Sequence, residues 1–259
     1  VDAGPHTDEA LAALSAQLAE AGRALADVEQ LLITHPHMDH FGLAGAVKAA
    51  SGCAVLAHPD AVDKLGDFAG FYRREQDYFA TFLASMGMPP QTARVLTELP
   101  KSFSVLAPPV TVERTLREGD RLEVGRLTLE ALETPGHSPA SLCFYAAAQR
   151  ALFAGDHLID GITPNPLLEM PRAPGQPRPR SLNLYLDSLR KVAALELDVV
   201  YAGHRNTITD PRRVIDTSFE HHQRRSERVL ALVRTGPLTA HALMQRLFPE
   251  LPATEQFLG

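Results

Sequence analysis

The hydrophobic and polar positions of the first sixty residues switch between helical and strand-like spacing. Thr7 is a favourable N-cap, two acidic residues follow it, and leucines then recur at intervals of three and four, which predicts an amphipathic helix. Apolar runs at 29–34 and 53–58 predict short buried strands, and residues 42–50 between them predict a second helix. This alternation is typical of a layered α/β fold.

The pattern changes in the second quarter of the chain. Aromatic residues and methionine recur at helical spacing between Asp67 and Pro100, and the pair Pro89 and Pro90 separates two predicted helices. Residues 66–106 therefore predict a helical insertion. This insertion either packs on its own domain or roofs an active site and shapes an apolar acyl or aromatic substrate pocket, and the spacing leaves both alternatives open.

Short alternating segments then predict an antiparallel meander of four strands, at 121–124, 127–132, 141–145 and 151–153. After the meander, the sequence predicts a proline-rich loop at 164–179, a helix at 182–195, a buried strand at 198–202 and a charged helix from Pro211 onward. A turn at Gly236 and Pro237 precedes a last predicted helix at 239–248. We therefore expect a large domain over 1–215 and a small, incomplete helical appendage over 216–259.

The composition fits a protein with a substantial buried core. The chain has 259 residues, 45% of them hydrophobic. No run approaches the ~20 apolar residues of a membrane-spanning helix, and the first residues lack a signal-peptide pattern, so we expect a cytoplasmic protein without membrane association. The 25 basic and 31 acidic residues give a net charge of −6, which does not favour binding to nucleic acid.

Cys53 and Cys143 lie in separate apolar runs and predict buried free thiols.

A cluster of metal-binding residue types follows the first predicted strand. The segment THPHMDHFG contains His35, His37, Asp39 and His40. Imidazole and carboxylate are ligands that zinc prefers, and alternating side chains in one loop can reach two adjacent ions. A solvated histidine-rich turn is the alternative interpretation. Against it, further groups of the same kind follow other apolar strands: His137 in TPGHS, Asp156 in FAGDH and His204 in YAGHR.

The motifs HPHMDH, PGHSPAS, FAGDH and AGHRN, in this order, resemble those of the metallo-β-lactamase fold hydrolases. The opening VDAG is similar to the Asp-x-Gly turn of that family, and the resemblance covers roughly 1–215. It implies an α/β fold, a four-layer αββα sandwich, with the site between two sheets at one edge. Relatives normally have one or two strands before this turn, so we expect the chain to lack N-terminal strands or to be a fragment.

The resemblance also implies a ligand set and a cofactor. By resemblance, one metal is held by His35, His37 and His137, and a second metal by Asp39, His40 and His204, with Asp156 as the bridge. The implied cofactors are two divalent metal ions, zinc foremost, with iron and manganese as alternatives. His37 stands where the flavodi-iron oxygen reductases carry Glu, and Asp156 where the best-known di-zinc β-lactamases carry Cys. The pattern is therefore more similar to glyoxalase II.

The function implied is a dinuclear metal-dependent hydrolase that uses a metal-bridged hydroxide on a small ester or thioester, with Asp39 and Asp156 nearest the reaction. Five neutral imidazoles, two carboxylates, two divalent ions and one hydroxide leave a charge of +1, which suits an anionic substrate. The alternatives are an endoribonuclease for single-stranded RNA, an iron-dependent oxidation like that of the persulfide dioxygenases, and a non-catalytic binding module. The tail resembles the start of the winged-helix appendage of some relatives, but the net charge does not favour RNA.

Other polar residues have simpler interpretations. Arg205 is expected on the surface, and His58 is expected to be a satisfied polar group at a strand end. His221 and His222 lie on a charged helix and are expected to be solvated. For His157, beside Asp156, two roles stay open: support of the metal ligand or a side chain that faces away.

Overall fold

The computed structural model describes residues 1–171 and 175–249, with only the backbone for 99–102. Its first sheet has three parallel strands in the order β1-β2-β3: β1 (Gln30–Leu32), β2 (Ala54–Ala57) and β3 (Arg114–Thr115). Leu31 pairs with Val55 and Leu56 with Arg114. The two predicted strands of the first sixty residues are thus neighbours in one sheet.

The second sheet has five strands in sequence order. They are β4 (Arg121–Val124), β5 (Leu127–Glu133), β6 (Leu142–Ala146), β7 (Ala151–Gly155) and β8 (Val199–Ala202). Strands β4 to β7 pair antiparallel, which confirms the predicted meander, and β8 joins β7 in parallel. A parallel pair needs a long crossover connection, and the chain between β7 and β8 supplies it.

Nine α-helices are present in the described residues: α1 (Asp8–Glu20), α2 (Met38–Phe41), α3 (Ala44–Ser51), α4 (Val62–Gly66), α5 (Phe68–Ser85), α6 (Pro90–Ser102), α7 (Ser181–Ala193), α8 (Pro211–Val233) and α9 (Ala240–Leu247). The helices α4 to α6 form the predicted insertion. Asp67 accepts a hydrogen bond from the backbone of Gly70 and caps α5, and Pro90 opens α6. In the described residues, no helix is long and apolar enough to cross a membrane.

Three hydrophobic clusters separate four layers of structure. Leu31 and Ile33 pack with α3 and the insertion on one face of the first sheet, whereas Leu32 between them packs against the second sheet. On the outer face of the second sheet, Tyr185 of α7 and Val214 of α8 are buried against β7 and β8. A helical layer therefore covers each sheet, which confirms the predicted αββα sandwich.

Both cysteines have the predicted state, since Cys53 and Cys143 are buried free thiols. The C-terminal segment is continuous with the sandwich at its start: α8 runs through residue 215, and Val214 and Ile215 belong to the core beside α7. From residue 216 to 249, the described chain contains helices and turns. The winged-helix resemblance and the domain boundary therefore stay predictions, and residues 250–259 lie outside the described residues.

Candidate metal centre

The seven predicted site residues meet at one edge of the sandwich. Residues after β1 lead into the one-turn helix α2, which carries Asp39 and His40. His137 lies between β5 and β6, Asp156 directly follows β7, and His204 follows β8 by two residues. Because the carboxyl ends of β1, β5, β7 and β8 point to the same edge, short strands of both sheets bring together groups from four distant segments.

Three imidazoles form the first group. The Nδ1 atom of His37 lies 2.9 Å from Nε2 of His35 and 3.1 Å from Nε2 of His137. His35 is 1% exposed, and the other two are partly buried. Their donor nitrogens lie within 4.8 Å of one another, a separation at which a single metal ion can contact all three.

A second group is formed by Asp39, His40 and His204. Nε2 of His204 lies 3.2 Å from Oδ2 of Asp39, and Nε2 of His40 lies 3.8 Å from the same oxygen. Asp156 lies between the two groups: its Oδ1 is 3.3 Å from His40, and its Oδ2 is 3.5 Å from His204 and 3.6 Å from His137. Its carboxylate therefore lies within reach of both groups.

Hydrogen bonds outside the cluster fix the orientation of two imidazoles. The Asp2 carboxylate accepts from the Thr34 hydroxyl at 2.8 Å and from Nδ1 of His40 at 2.9 Å. Because the Thr34 hydroxyl donates to Asp2, it accepts from Nδ1 of His35 at 3.0 Å. Both rings are therefore held with Nδ1 outward and Nε2 towards the cluster, where a neutral ring presents a lone pair.

His137 is oriented in the same way, because its Nδ1 donates to the carbonyl oxygen of Asn165 at 2.9 Å. Three inward lone pairs and two carboxylates then converge. Nε2 of His40 and Oδ1 of Asp156 are buried and have no hydrogen-bond partner among the described residues. Lone pairs that face one another at these distances repel unless a cation lies between them, so the donor set fits divalent metal ions.

The residues that orient the rings were missed by sequence reasoning. Asp2 belongs to the VDAG turn that carries the family resemblance, but the motif alone assigns it no contact. Its partner His40 is 38 residues away. Asn165 acts through its backbone carbonyl, so no side-chain pattern identifies it. A sequence signal existed for Asp2 only, since a carboxylate is the group that commonly accepts from the outer nitrogen of a ligating histidine.

The electrostatics differ between the two groups. Burial and the neighbouring imidazoles hold the pKa of His35 well below its usual range, and burial also lowers the pKa of His137. At His40 burial acts in the same direction, but the carboxylates of Asp156 and Asp2 outweigh it and raise the pKa to about 10. The Asp156 and Asp39 carboxylates raise the pKa of His204 to about 9. The second group is thus the more negative environment and attracts positive charge.

A glycine makes this close approach possible. The backbone N–H of Gly203 donates to the carbonyl of Gly155 at 2.7 Å, which joins the ends of β7 and β8 beneath the cluster. A Cβ atom at Gly203 would lie 2.6 Å from Oδ1 of Asp156 and 2.6 Å from Cε1 of His40. Any larger residue would displace at least one of the two side chains.

Two of the simpler expectations are confirmed. Arg205 is exposed, and its guanidinium donates to the carbonyl of Asp160 at 3.3 Å. His58 is buried and its Nε2 lies 3.1 Å from a carboxylate oxygen of Glu133. Neither side chain belongs to the cluster.

The expectation for His222 is wrong. His222 is only 5% exposed, because its ring packs against Tyr185, with 5.4 Å between the ring centroids. His157 packs on the same tyrosine at 5.4 Å, and neither of its ring nitrogens has a hydrogen-bond partner among the described residues. Burial lowers the pKa of His157 to about 3. His157 therefore belongs to the core beneath α7, not to the cluster.

A cavity of about 540 Å³ opens beside His37. Residues of the two histidine loops form one end, and the insertion helices α4 to α6, residues 165–169 and the helices α8 and α9 form the rest. Its apolar lining includes Phe71, Tyr72, Phe79, Phe82, Leu96 and Met244. The insertion therefore lines a pocket next to the cluster, which is one of the two roles that its sequence left open.

Known proteins resemble this chain in sequence. The family model described as "Metallo-beta-lactamase superfamily" matches residues 1–204. A protein of Bacillus subtilis (strain 168), "Probable metallo-hydrolase YqjP", is 31% identical over 258 residues, which cover 100% of this chain and 79% of the relative. A "Hydroxyacylglutathione hydrolase" of Rhodospirillum rubrum is 28% identical over 204 residues, 76% of this chain and 58% of that relative.

A solved structure extends the similarity to the three-dimensional fold. The metallo-beta-lactamase family protein TTHA1429 of Thermus thermophilus matches with a TM-score of 0.79 and 33% sequence identity. The match covers 99% of this chain and 81% of that one. It therefore includes helices beyond residue 204, where the family model ends.

Proposed function

Because the chain belongs to the metallo-beta-lactamase superfamily, we propose that it is a metal-dependent hydrolase with a two-ion centre that acts on a small ester or thioester. The observation that carries this proposal is the convergence of five imidazoles and two carboxylates, in three groups of potential metal ligands that share members. An inward ring of lone pairs without a cation is electrostatically unfavourable, which supports a role as metal ligands.

In this proposal, one ion is held by His35, His37 and His137, and the other by Asp39, His40 and His204. Asp156 contacts both. Divalent ions bound there supply Lewis acidity and a water molecule whose pKa falls from about 15.7 towards about 7. The contribution of the chain is to hold the ligands in place: Asp2, Thr34 and the carbonyl of Asn165 keep the imidazole rings from turning.

Zinc is the proposed metal, since imidazole and carboxylate are typical zinc ligands, although iron and manganese share these preferences. The name of the Rhodospirillum rubrum relative supports a thioester substrate, because an acylglutathione is a thioester. The apolar cavity beside His37 supports a substrate with an apolar part. A hydrolysis of this kind needs no serine or cysteine nucleophile.

The decisive experiment measures the metal content of the purified protein by elemental mass spectrometry, together with thioester hydrolysis before and after chelation. We expect about two zinc ions per chain and hydrolysis that chelator abolishes and zinc restores. His40→Ala and Asp39→Asn should each retain about one ion per chain, because in the proposed assignment each removes a ligand of the second ion only.

Parallel assays test the alternative functions. About one iron per chain with oxygen uptake on a persulfide, and no thioester hydrolysis, would replace the proposal by an oxidation. Chelator-sensitive cleavage of single-stranded RNA, with a rate that falls steeply as salt is added, would replace it by a nuclease. Unchanged metal content in both His40→Ala and Asp39→Asn would contradict the ligand assignment.

A further inference from the structure

The cavity of about 540 Å³ is continuous with the candidate metal centre at one end. Pro36 and His37 line it from the loop after β1, and Ser138 and Ala140 line it from the loop that carries His137. Each of these four residues either belongs to the first histidine group or lies within three positions of one of its members. A substrate whose carbonyl lies at the metal centre therefore has this cavity directly beside it.

The walls away from the metal centre are apolar and adaptable. Three of the five methionines of the chain line the cavity, Met86, Met88 and Met244. Aromatic side chains of α5 line it as well, and Leu96 of α6 contributes a further apolar surface. Flexible thioether side chains fill irregular space and adjust to ligands of different shape, so such a wall suits a range of apolar groups.

Helix α9 lines the cavity and packs directly on the insertion. The backbone N–H of His241 donates to the carbonyl of Met86 at 3.0 Å. At Gly87, where φ is +92°, an added Cβ would lie 2.7 Å from Cβ of Thr239, so the turn after α5 and the N-cap of α9 are in close contact. The C-terminal helices are therefore part of the cavity wall.

Two of the cations that line the cavity, Lys64 and Arg178, lie over aromatic rings that also line it. Lys64 is 8% exposed, and its ammonium lies 4.6 Å from the centroid of the Tyr72 ring and 5.4 Å from that of Phe71. The guanidinium of Arg178 lies 4.2 Å from the centroid of the Phe82 ring. Ring faces thus stabilise both cations, and the cavity keeps its mainly apolar lining.

We propose that this cavity, the acyl pocket, binds the acyl group of the substrate and selects bulky apolar acyl groups, aromatic or of about six carbons, over acetyl. The inference rests on the proposed function and specifies its substrate class. The volume of the acyl pocket lies within the range of small-molecule sites, about 300–1,000 Å³, whereas an acetyl group would leave most of it to water. Displacement of that water by apolar atoms is the source of the selectivity.

The test compares thioesters that share one thiol and differ in the acyl group: acetyl, butanoyl, hexanoyl and benzoyl. Each methylene buried contributes a factor of about four, so kcat/KM of the zinc-loaded enzyme should rise on the order of 100-fold from acetyl to hexanoyl. The benzoyl thioester should also exceed acetyl. Equal kcat/KM values for acetyl and hexanoyl would overturn the inference.

A pair of variants on α9 locates the selectivity. Met244→Trp places a larger side chain into the acyl pocket and should lower the hexanoyl-to-acetyl ratio of kcat/KM by about tenfold or more. Gln245→Trp is the matched control: Gln245 is exposed and does not line the pocket, so the ratio should stay as in the wild type. Phe79→Ala, which widens the pocket, should shift the preference towards still larger acyl groups.

A binding measurement separates this inference from the proposed function. Thioether analogues, in which a methylene replaces the thioester carbonyl, cannot be hydrolysed and can be titrated by calorimetry into the chelator-treated protein. Tighter binding of the hexyl than of the ethyl thioether, lost in Met244→Trp and kept in Gln245→Trp, supports the acyl pocket even if no thioester is cleaved. Hydrolysis of every thioester at equal rates, with equal thioether affinities, would sink the acyl pocket and leave the hydrolase intact.

Discussion

The candidate metal centre and the acyl pocket are adjacent but are built in opposite ways. Side chains of the candidate metal centre follow the ends of short strands, and hydrogen bonds to Asp2, Thr34 and the carbonyl of Asn165 fix three of their rings. The acyl pocket is assembled from helices of the insertion and of the C-terminal segment, and its lining is mainly apolar. In the proposed enzyme, chemistry would thus depend on directional contacts at strand ends, whereas selectivity would depend on adaptable packing between helices.

The largest effect is expected where the metal centre depends on a single group. Asp156→Ala removes the carboxylate that lies 3.3 Å from His40 and 3.5 Å from His204. We expect a loss of activity on the order of 1,000-fold and a metal content below that of the wild type, since both proposed ions lose a ligand. Asp160→Ala, which removes a carboxylate paired with Arg213 outside the cluster, is the control and should retain metal and activity. Full metal content in Asp156→Ala would show that Asp156 is not a metal ligand.

The outer contacts of the metal centre should matter less than its ligands. Asp2→Ala frees Nδ1 of His40 and the Thr34 hydroxyl, so the ring of His40 can turn. We expect a 10- to 100-fold loss of affinity for the ion that His40 is proposed to hold, measured by competition with a chelator. Glu20→Ala, an exposed carboxylate on α1, should bind metal as the wild type does. The same affinity in Asp2→Ala would mean that packing alone orients His40.

Close packing beneath the metal centre predicts a smaller loss. Gly203→Ala adds a Cβ that would lie 2.6 Å from Asp156 and from His40, so one of these side chains must shift. Metal affinity should fall about tenfold, because displaced ligands bind less well. Gly66→Ala is the control, since nothing lies within 4 Å of its added Cβ. Wild-type affinity in Gly203→Ala would show that the site tolerates displacement and is less rigid than its hydrogen bonds indicate.

The same contrast explains how much could be predicted from the sequence. The candidate ligands occur in four short motifs, and apolar runs and glycines mark the strand ends that carry them. Both the fold and the composition of the candidate metal centre could therefore be predicted. Asp2 appeared only as part of a turn, since its contact with His40 spans 38 residues. His222 was misjudged, because its neighbours along α8 are charged and the tyrosine that buries it lies on α7. The acyl pocket joins segments with no common motif.

Glu75 is a carboxylate among the mainly apolar side chains of the acyl pocket, and it predicts the smallest effect. Glu75 of α5 lines the pocket, and burial raises its pKa to about 7, although Lys64 and Arg74 oppose the shift. The folded state therefore binds a proton that the unfolded state has released between about pH 4.5 and 7, so this residue makes the protein less stable as the pH rises through that window.

Glu75→Gln should consequently raise the free energy of unfolding at pH 8 and leave it nearly unchanged at pH 4.5. A fully buried group with this shift would account for about 3 kcal/mol, and partial exposure reduces the expected gain to on the order of 1–2 kcal/mol. For a chain of this size, the melting temperature should rise at pH 8 by about 2–4 °C per kcal/mol. Asp77→Asn, an exposed carboxylate on the same helix, should keep the wild-type pH dependence. An equal gain for Glu75→Gln at both pH values would mean that the carboxylate is solvated, and that the acyl pocket is wetter near α5 than its lining indicates.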